Sequence, residues 1–215
     1  NYKGLKGRKV HVVRPPFFLE SQPVDISHYQ LPSRYFIHFG SIGALKGSDT
    51  IAEALPIIWE KYPDFRMVWA GKERQKGVMQ EYKKLWGKNA EKVVWFDGLV
   101  KNELYAALKN AEVSVLPSRV DNLPNTVVES LFLGIPVIGS NGASIDELVE
   151  PLRNGALVEI GDVEQLAGAM MDAWTKNKNW LPNGFQKTKV LNDFNPDIAG
   201  ENIIKLHKEY TTKRK

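Results

Sequence analysis

Asp121-Asn122-Leu123-Pro124-Asn125-Thr126-Val127-Val128-Glu129 decides how this chain is read. The run before it, Val113-Ser114-Val115-Leu116-Pro117-Ser118, has the apolar content of a buried strand. The run after it, Ser130-Leu131-Phe132-Leu133-Gly134-Ile135-Pro136-Val137-Ile138-Gly139, reads as a helix end, a turn and another strand. A loop joining the carboxyl end of a strand to a helix is where open α/β sheets bind their ligands. Two carboxylates, Asp121 and Glu129, straddle that helix start.

The same alternation extends in both directions. Strands are expected over residues 35–39, 65–70, 92–96, 113–116, 136–140 and 156–160. Helices are expected over 48–62, 77–86, 102–110, 125–133, 163–176 and, as a short turn of helix, 145–149. Pro56 is a candidate kink in the first of these. Alternating strands and helices predict an α/β fold, a Rossmann-like doubly wound parallel sheet with helices on both faces. Residues 1–33, with one short strand at 9–13 and four prolines from Pro15 to Pro32, read as a connector. Residues 34–190 form the Rossmann-like domain. Residues 191–215 hold a final helix to about residue 210, with Asn195 as N-cap and Pro196 in its first position, and a basic tail.

Composition narrows the function classes. A chain of 215 residues that is 43% hydrophobic can bury a sizeable core, and it contains no run long enough to span a bilayer. Without cysteine it has neither disulfides nor thiolate chemistry, which fits a reducing, cytoplasmic compartment. The net charge of +4 is spread along the chain, and no RNA-binding motif accompanies it, so nucleic acid is not an expected partner. The four histidines show no ligand spacing, and no metal site is expected. His38 falls inside a strand and reads as a core histidine.

Two stretches carry chemistry. Gly40-Ser41-Ile42-Gly43-Ala44-Leu45-Lys46-Gly47 follows a strand and precedes a helix. Its glycines let a phosphate approach the backbone, and Lys46 adds a charge, although the spacing is neither that of a P-loop nor that of a dinucleotide fingerprint. A tight turn with a solvated lysine fits the same residues. In the second stretch, Asn125 would cap the helix and leave its first amides free for an anion. Glu129, one turn in, is placed to accept hydrogen bonds from sugar hydroxyls rather than to hold a phosphate. Asp121 could serve a second ring. The plainer alternative is a turn-stabilising Asp121 and a surface Glu129. The buried-looking run after Glu129 counts against it.

In order, these residues resemble the nucleotide-binding half of a GT-B glycosyltransferase, similar to the large retaining family 4. The resemblance rests on Gly40 with Lys46-Gly47, Trp69-Ala70-Gly71, Phe96-Asp97-Gly98-Leu99, Leu116-Pro117-Ser118, the acids Asp121 and Glu129, and Gly134-Ile135-Pro136-Val137. It covers residues 34–175. It implies one half of a GT-B fold that binds a nucleoside diphosphate sugar without a metal or other cofactor and transfers the sugar to an acceptor hydroxyl. Glu129 would hold the ribose and Asp121 the donor sugar. Lys46, with amides near Gly43 and around Asn125-Thr126, would stabilise the diphosphate. Gly71 would line the site, and Gly98-Leu99 would meet the base.

Asn122, Leu123 and Pro124 would complete the donor loop. The catalytic residues would be Lys46, Asp121 and Glu129. The chain departs from the pattern at Ser41, where the family usually has arginine, at Asp121, usually glutamate, and at Ala143-Ser144, usually paired glycines. The acceptor-binding half is expected to be missing, leaving a C-terminal fragment inactive alone, with any membrane-surface association carried by that half. Two other functions fit the residues: a catalytically silent sugar- or nucleotide-binding module, and a GT-B nucleotide-sugar epimerase.

Overall fold

The computed structural model describes residues 13–19, 24–177, 180–181, 183–186 and 188–212. Most of the strand expected over residues 9–13 lies outside them. The chain divides into two units, Leu19–Thr188 and the pair of segments Asn1–Phe18 and Lys189–Lys215.

The first unit is built on six parallel strands: β1 (Phe36–Phe39), β2 (Met67–Ala70), β3 (Val93–Phe96), β4 (Val113–Leu116), β5 (Val137–Ser140) and β6 (Gly155–Val158). Their order is β3-β2-β1-β4-β5-β6. This is the doubly wound sheet that the alternating pattern predicts, with its topological switch between β1 and β4. Among the described residues five α-helices connect or flank the strands: α1 (Ser48–Lys61), α2 (Val78–Trp86), α3 (Lys101–Lys109), α4 (Asn125–Phe132) and α5 (Val163–Trp174). β1, β2, β4 and β5 are buried at every position, as strands covered on both faces must be.

The pairing of β1 with β4 is short. Only Phe36↔Val113 and Ile37↔Ser114 are in register, whereas β1 pairs with β2 at four positions. The two strands therefore part toward their carboxyl ends, and a crevice opens between the loops that follow them.

An aromatic cluster fills one face. The Trp69 ring lies 5.4 Å from that of Trp86 and 5.7 Å from that of Tyr82, both edge-on. α1 runs through Pro56 without interruption. Pro56 has no N–H for the carbonyl of Ala52 four residues earlier, and the Trp86 indole donates to that oxygen at 2.9 Å instead.

The short helix expected over residues 145–149 is a turn. Ala143 and Ser144, at φ 53° and 58°, are both left-handed, and the chain then closes on itself through Val149 N–H to Ile145 O at 2.9 Å. The Glu150 amide donates to Asn154 Oδ1 at 2.7 Å instead of continuing the ladder, so a single turn and no helix follows Ala143 and Ser144. They also keep, at some strain, the backbone that glycines would adopt freely.

In the second unit, helix α6 (Lys189–Asp193) is followed by α7 (Pro196–Thr212). Asn195 caps α7 as its sequence predicts, accepting from the Asp197 amide at 2.9 Å. The Phe194 carbonyl accepts from the Phe17 amide at 2.8 Å. Among the described residues no helix is long and apolar enough to cross a membrane.

Candidate functional site

The carboxyl ends of β1, β2, β3 and β4 converge through their loops. Gly40 leaves β1 at φ 110°, its N–H bound to Ala70 O at 3.0 Å. A Cβ at Gly71 would sit 1.6 Å from the Gly40 carbonyl oxygen, so only glycine lets these two exits touch. A Cβ at Gly40 would lie 3.6 Å from Thr126 Cγ2, which puts the β1 exit directly beside the start of α4.

His38 holds the crevice where the β1–β4 ladder ends. Its Nδ1 lies 2.8 Å from Val115 O and its Nε2 2.9 Å from Ser48 Oγ, which in turn accepts from the Gly43 amide at 3.1 Å. A carbonyl can only accept, so Nδ1 carries the proton and Nε2 accepts from the Ser48 hydroxyl. Burial pulls the His38 pKa down to about 4, the Val115 hydrogen bond opposing this, so the ring is neutral at physiological pH. The core histidine of the sequence is thus also the peg on which the Gly43 turn hangs. The same bond occupies the Gly43 amide, which was expected to face a phosphate.

The start of α4 differs from its expectation. Asn125 is the first helical residue and not the cap; Pro124 precedes the helix and no side chain caps it. Pro124, at φ −74° and ψ 84°, makes a three-residue turn in which the Asn125 amide donates to Leu123 O at 2.8 Å. The Val127 and Val128 amides both reach Pro124 O. Among the described residues only the Thr126 amide of this first turn has no acceptor.

Both acids are matched by lysines. Asp121 Oδ2 accepts from Lys46 Nζ, and its Oδ1 from the Asn122 amide at 3.0 Å. Glu129, buried on α4, accepts from Lys101 Nζ at the start of α3. Burial alone would lower the Lys101 pKa, but the hydrogen bond and charge of Glu129 outweigh it and the pKa is raised. Lys46 and Asp121, separated by 75 residues in sequence, are thereby brought together. Glu129 is set instead beside the β3 exit, where Gly98 at φ 94° and half-buried Leu99 lie just ahead of Lys101. Arg119 ties the β4 loop to the β1 loop and the start of α1: its amide donates to Leu45 O at 3.0 Å and its guanidinium reaches Asp49 Oδ1 at 2.6 Å and Thr50 Oγ1 at 3.2 Å.

Lys101 and Arg119 escape the sequence reading because their partners are 28 and 70 residues away. The one available signal was a lysine directly after Leu99-Val100. A separate cavity of about 530 Å³, lined by Ile26, Leu31, Tyr35 and Asn110 among others, lies at the amino edge of the sheet, away from these loops.

A doubly wound parallel sheet of this order, with glycines, cations and two acids gathered at its switch point, has the Rossmann-like architecture of one half of a GT-B fold. The chain belongs to the Glycosyl transferases group 1 family, whose model matches residues 33–176. An uncharacterized glycosyltransferase of Haemophilus influenzae is 23% identical to it over 181 residues, 81% of this chain and 48% of that protein. The chain spans about half the length of the curated relatives it matches. Anabaena HepE, solved in complex with UDP, superposes with a TM-score of 0.74 at 15% identity over 93% of this chain and 57% of that one. The C-terminal domain of a Francisella tularensis group 1 glycosyl transferase superposes at 0.61 and 19% identity, covering 84% of this chain and 94% of that domain.

Proposed function

We propose that this chain binds a nucleoside diphosphate sugar as the donor half of a retaining glycosyltransferase, with the acceptor bound by a further domain. The observation that carries this reading is the buried carboxylate of Glu129, held on a helix at the switch point beside the glycine-lined exits. A buried acid is costly, and one whose oxygens accept from the two hydroxyls of a ribose is well used. Membership of the family and the UDP in HepE support the ligand class.

In the transfer, the bond between the anomeric carbon and the phosphate oxygen breaks, and its electron pair leaves with the nucleoside diphosphate. The acceptor oxygen bonds the anomeric carbon on the same face, and its proton passes to the departing phosphate. The sugar acquires oxocarbenium character as charge grows on that phosphate. Lys46 and the open Thr126 amide supply preorganised donors for the charge, and Asp121 meets the sugar.

Calorimetry with UDP, GDP and ADP tests the binding claim: at least one is expected to bind below millimolar concentration, and binding of none would overturn it. Glu129→Ala is expected to weaken the bound nucleotide about tenfold or more, the worth of a hydrogen bond to a charged acceptor. The 2′,3′-dideoxy nucleotide should lose nothing by the same change. Glu91→Ala, at an exposed acid, is the control, and equal losses from the two variants would remove Glu129 from the ribose site. Sugar transfer by the whole protein separates catalysis from binding alone.

A further inference from the structure

The exit of β2 carries two cations that the reading above does not use. Pairing with the β1 exit continues past the strands: the Ile42 amide donates to Lys72 O and the Arg74 amide to Ile42 O, both at 2.9 Å. Alternation along this extended segment puts Lys72 and Arg74 on one side and Glu73 on the other. Glu73 turns to the start of α2, accepting from the Gly77 amide at 3.1 Å and the Met79 amide at 2.6 Å. Its carboxylate is committed there and not to the neighbouring cations.

The stems of both cations lie across glycines of the site. A Cβ placed at Gly43 would meet Arg74 Cβ at 3.5 Å and Cδ at 3.9 Å. One placed at Gly98 would meet Lys72 Cε at 3.6 Å. Gly43 therefore does not serve a phosphate with its amide, which Ser48 Oγ occupies; the Arg74 stem instead packs beside it at ordinary van der Waals distance. Gly43 O also accepts from the Lys46 amide at 3.0 Å, so one turn carries Lys46 and supports Arg74.

The charges around that turn are unequal. Lys46 is already paired with Asp121, and Ser41 offers no charge. Among the described residues neither Lys72 nor Arg74 has an acidic partner. A diphosphate brought to this edge meets a neutralised lysine and an uncommitted guanidinium, whose planar fork fits two phosphate oxygens at once.

We infer that Arg74 is the principal diphosphate-binding cation of this site, with Lys72 adding charge on the side of the base loop. This rests on the donor-binding reading. Arg74 is exposed and makes no side-chain hydrogen bond to another described residue, so its replacement is expected to leave the melting temperature unchanged.

The test is calorimetry of the chain and its Arg74→Ala and Arg74→Lys variants. The ligands are whichever of UDP, GDP and ADP binds, and the nucleoside of the same base. Arg74→Ala should weaken the diphosphate about tenfold or more and leave the nucleoside unchanged. Arg74→Lys should recover part of the loss, because it restores the charge without the fork. A variant that binds the diphosphate like the parent overturns the inference while leaving the donor-binding reading intact. Equal losses for diphosphate and nucleoside also overturn it, making Arg74 a support of the loop. If the parent chain binds no nucleoside diphosphate, both readings fall together.

Discussion

The two walls of the crevice are held by different physics. On the β1 side, His38, Ser48 and the Gly43 amide form one buried chain of hydrogen bonds with no net charge, anchored on Val115 O of β4. On the β4 side, Asp121 and Glu129 are each held by a lysine, and their side chains are only 13% and 7% exposed. An uncharged chain fixes the shape of a glycine turn without adding a field that would repel or trap an anion. Ion pairs hold the two carboxylates in place against the cost of burying them. Shape is thus set on one wall and charge on the other, and Arg119 joins them through Asp49 and Thr50.

The sharpest way to break this contrast is acid. With a folded-state pKa of about 4 against an ordinary 6.5, His38 refuses a proton that the unfolded chain accepts. Stability from this residue is complete above about pH 6.5 and declines as pH falls toward 4, by about 3 kcal/mol over that interval. Thermal melts of the parent and His38→Gln from pH 7.5 to 4.5 should converge as pH falls, because the variant lacks this slope. Melting curves that stay parallel across the range would show that the β1 wall does not depend on a neutral imidazole.

Next in size is the loss of one lysine. Lys101→Ala takes the ammonium away from a buried carboxylate. Removing one partner of a fully buried pair costs about 3–5 kcal/mol. Lys101 itself is partly solvated, so a loss of about 2 kcal/mol is expected in urea denaturation. Lys46→Ala should cost below about 1 kcal/mol, since Asp121 sits on a loop and keeps its bond from the Asn122 amide. Equal losses would mean that the two acids are not held differently after all.

What the sequence shows of this site follows the range of the forces involved. Hydrophobic alternation is local, so all six strands and the doubly wound class are legible from it, and the ordered glycines and acids place the chain in its family. The capping of α7 by Asn195 is local as well and is read correctly. At α4 the same rule misassigns Asn125, because Pro124 makes its own tight turn and leaves Asn125 inside the helix. At residues 145–149 apolar spacing suggests a helix, but the Glu150 amide goes to Asn154 and only a single turn forms. Lys101, Arg119 and Arg74 are not singled out by the sequence, beyond the position of Lys101 directly after Leu99-Val100. Each is defined by a partner or a surface from a distant loop, which only the folded sheet supplies.

The smallest effect probes whether charge on the β4 wall is held in reserve. Asp121→Asn keeps the shape of the side chain and, through its amide oxygen, the bond from the Asn122 N–H, but it releases Lys46 from its ion pair. If Lys46 serves the diphosphate, the released ammonium should tighten nucleoside diphosphate binding by a few-fold, the order of about 0.5–1 kcal/mol for a partly exposed pair. The gain should shrink at high salt, where mobile ions screen the freed charge. Calorimetry at low and at roughly molar salt reads both signs. A variant that binds more weakly at low salt would show that Asp121 positions Lys46 for the ligand and does not merely restrain it, and the contrast between the walls would then lie in orientation as much as in charge.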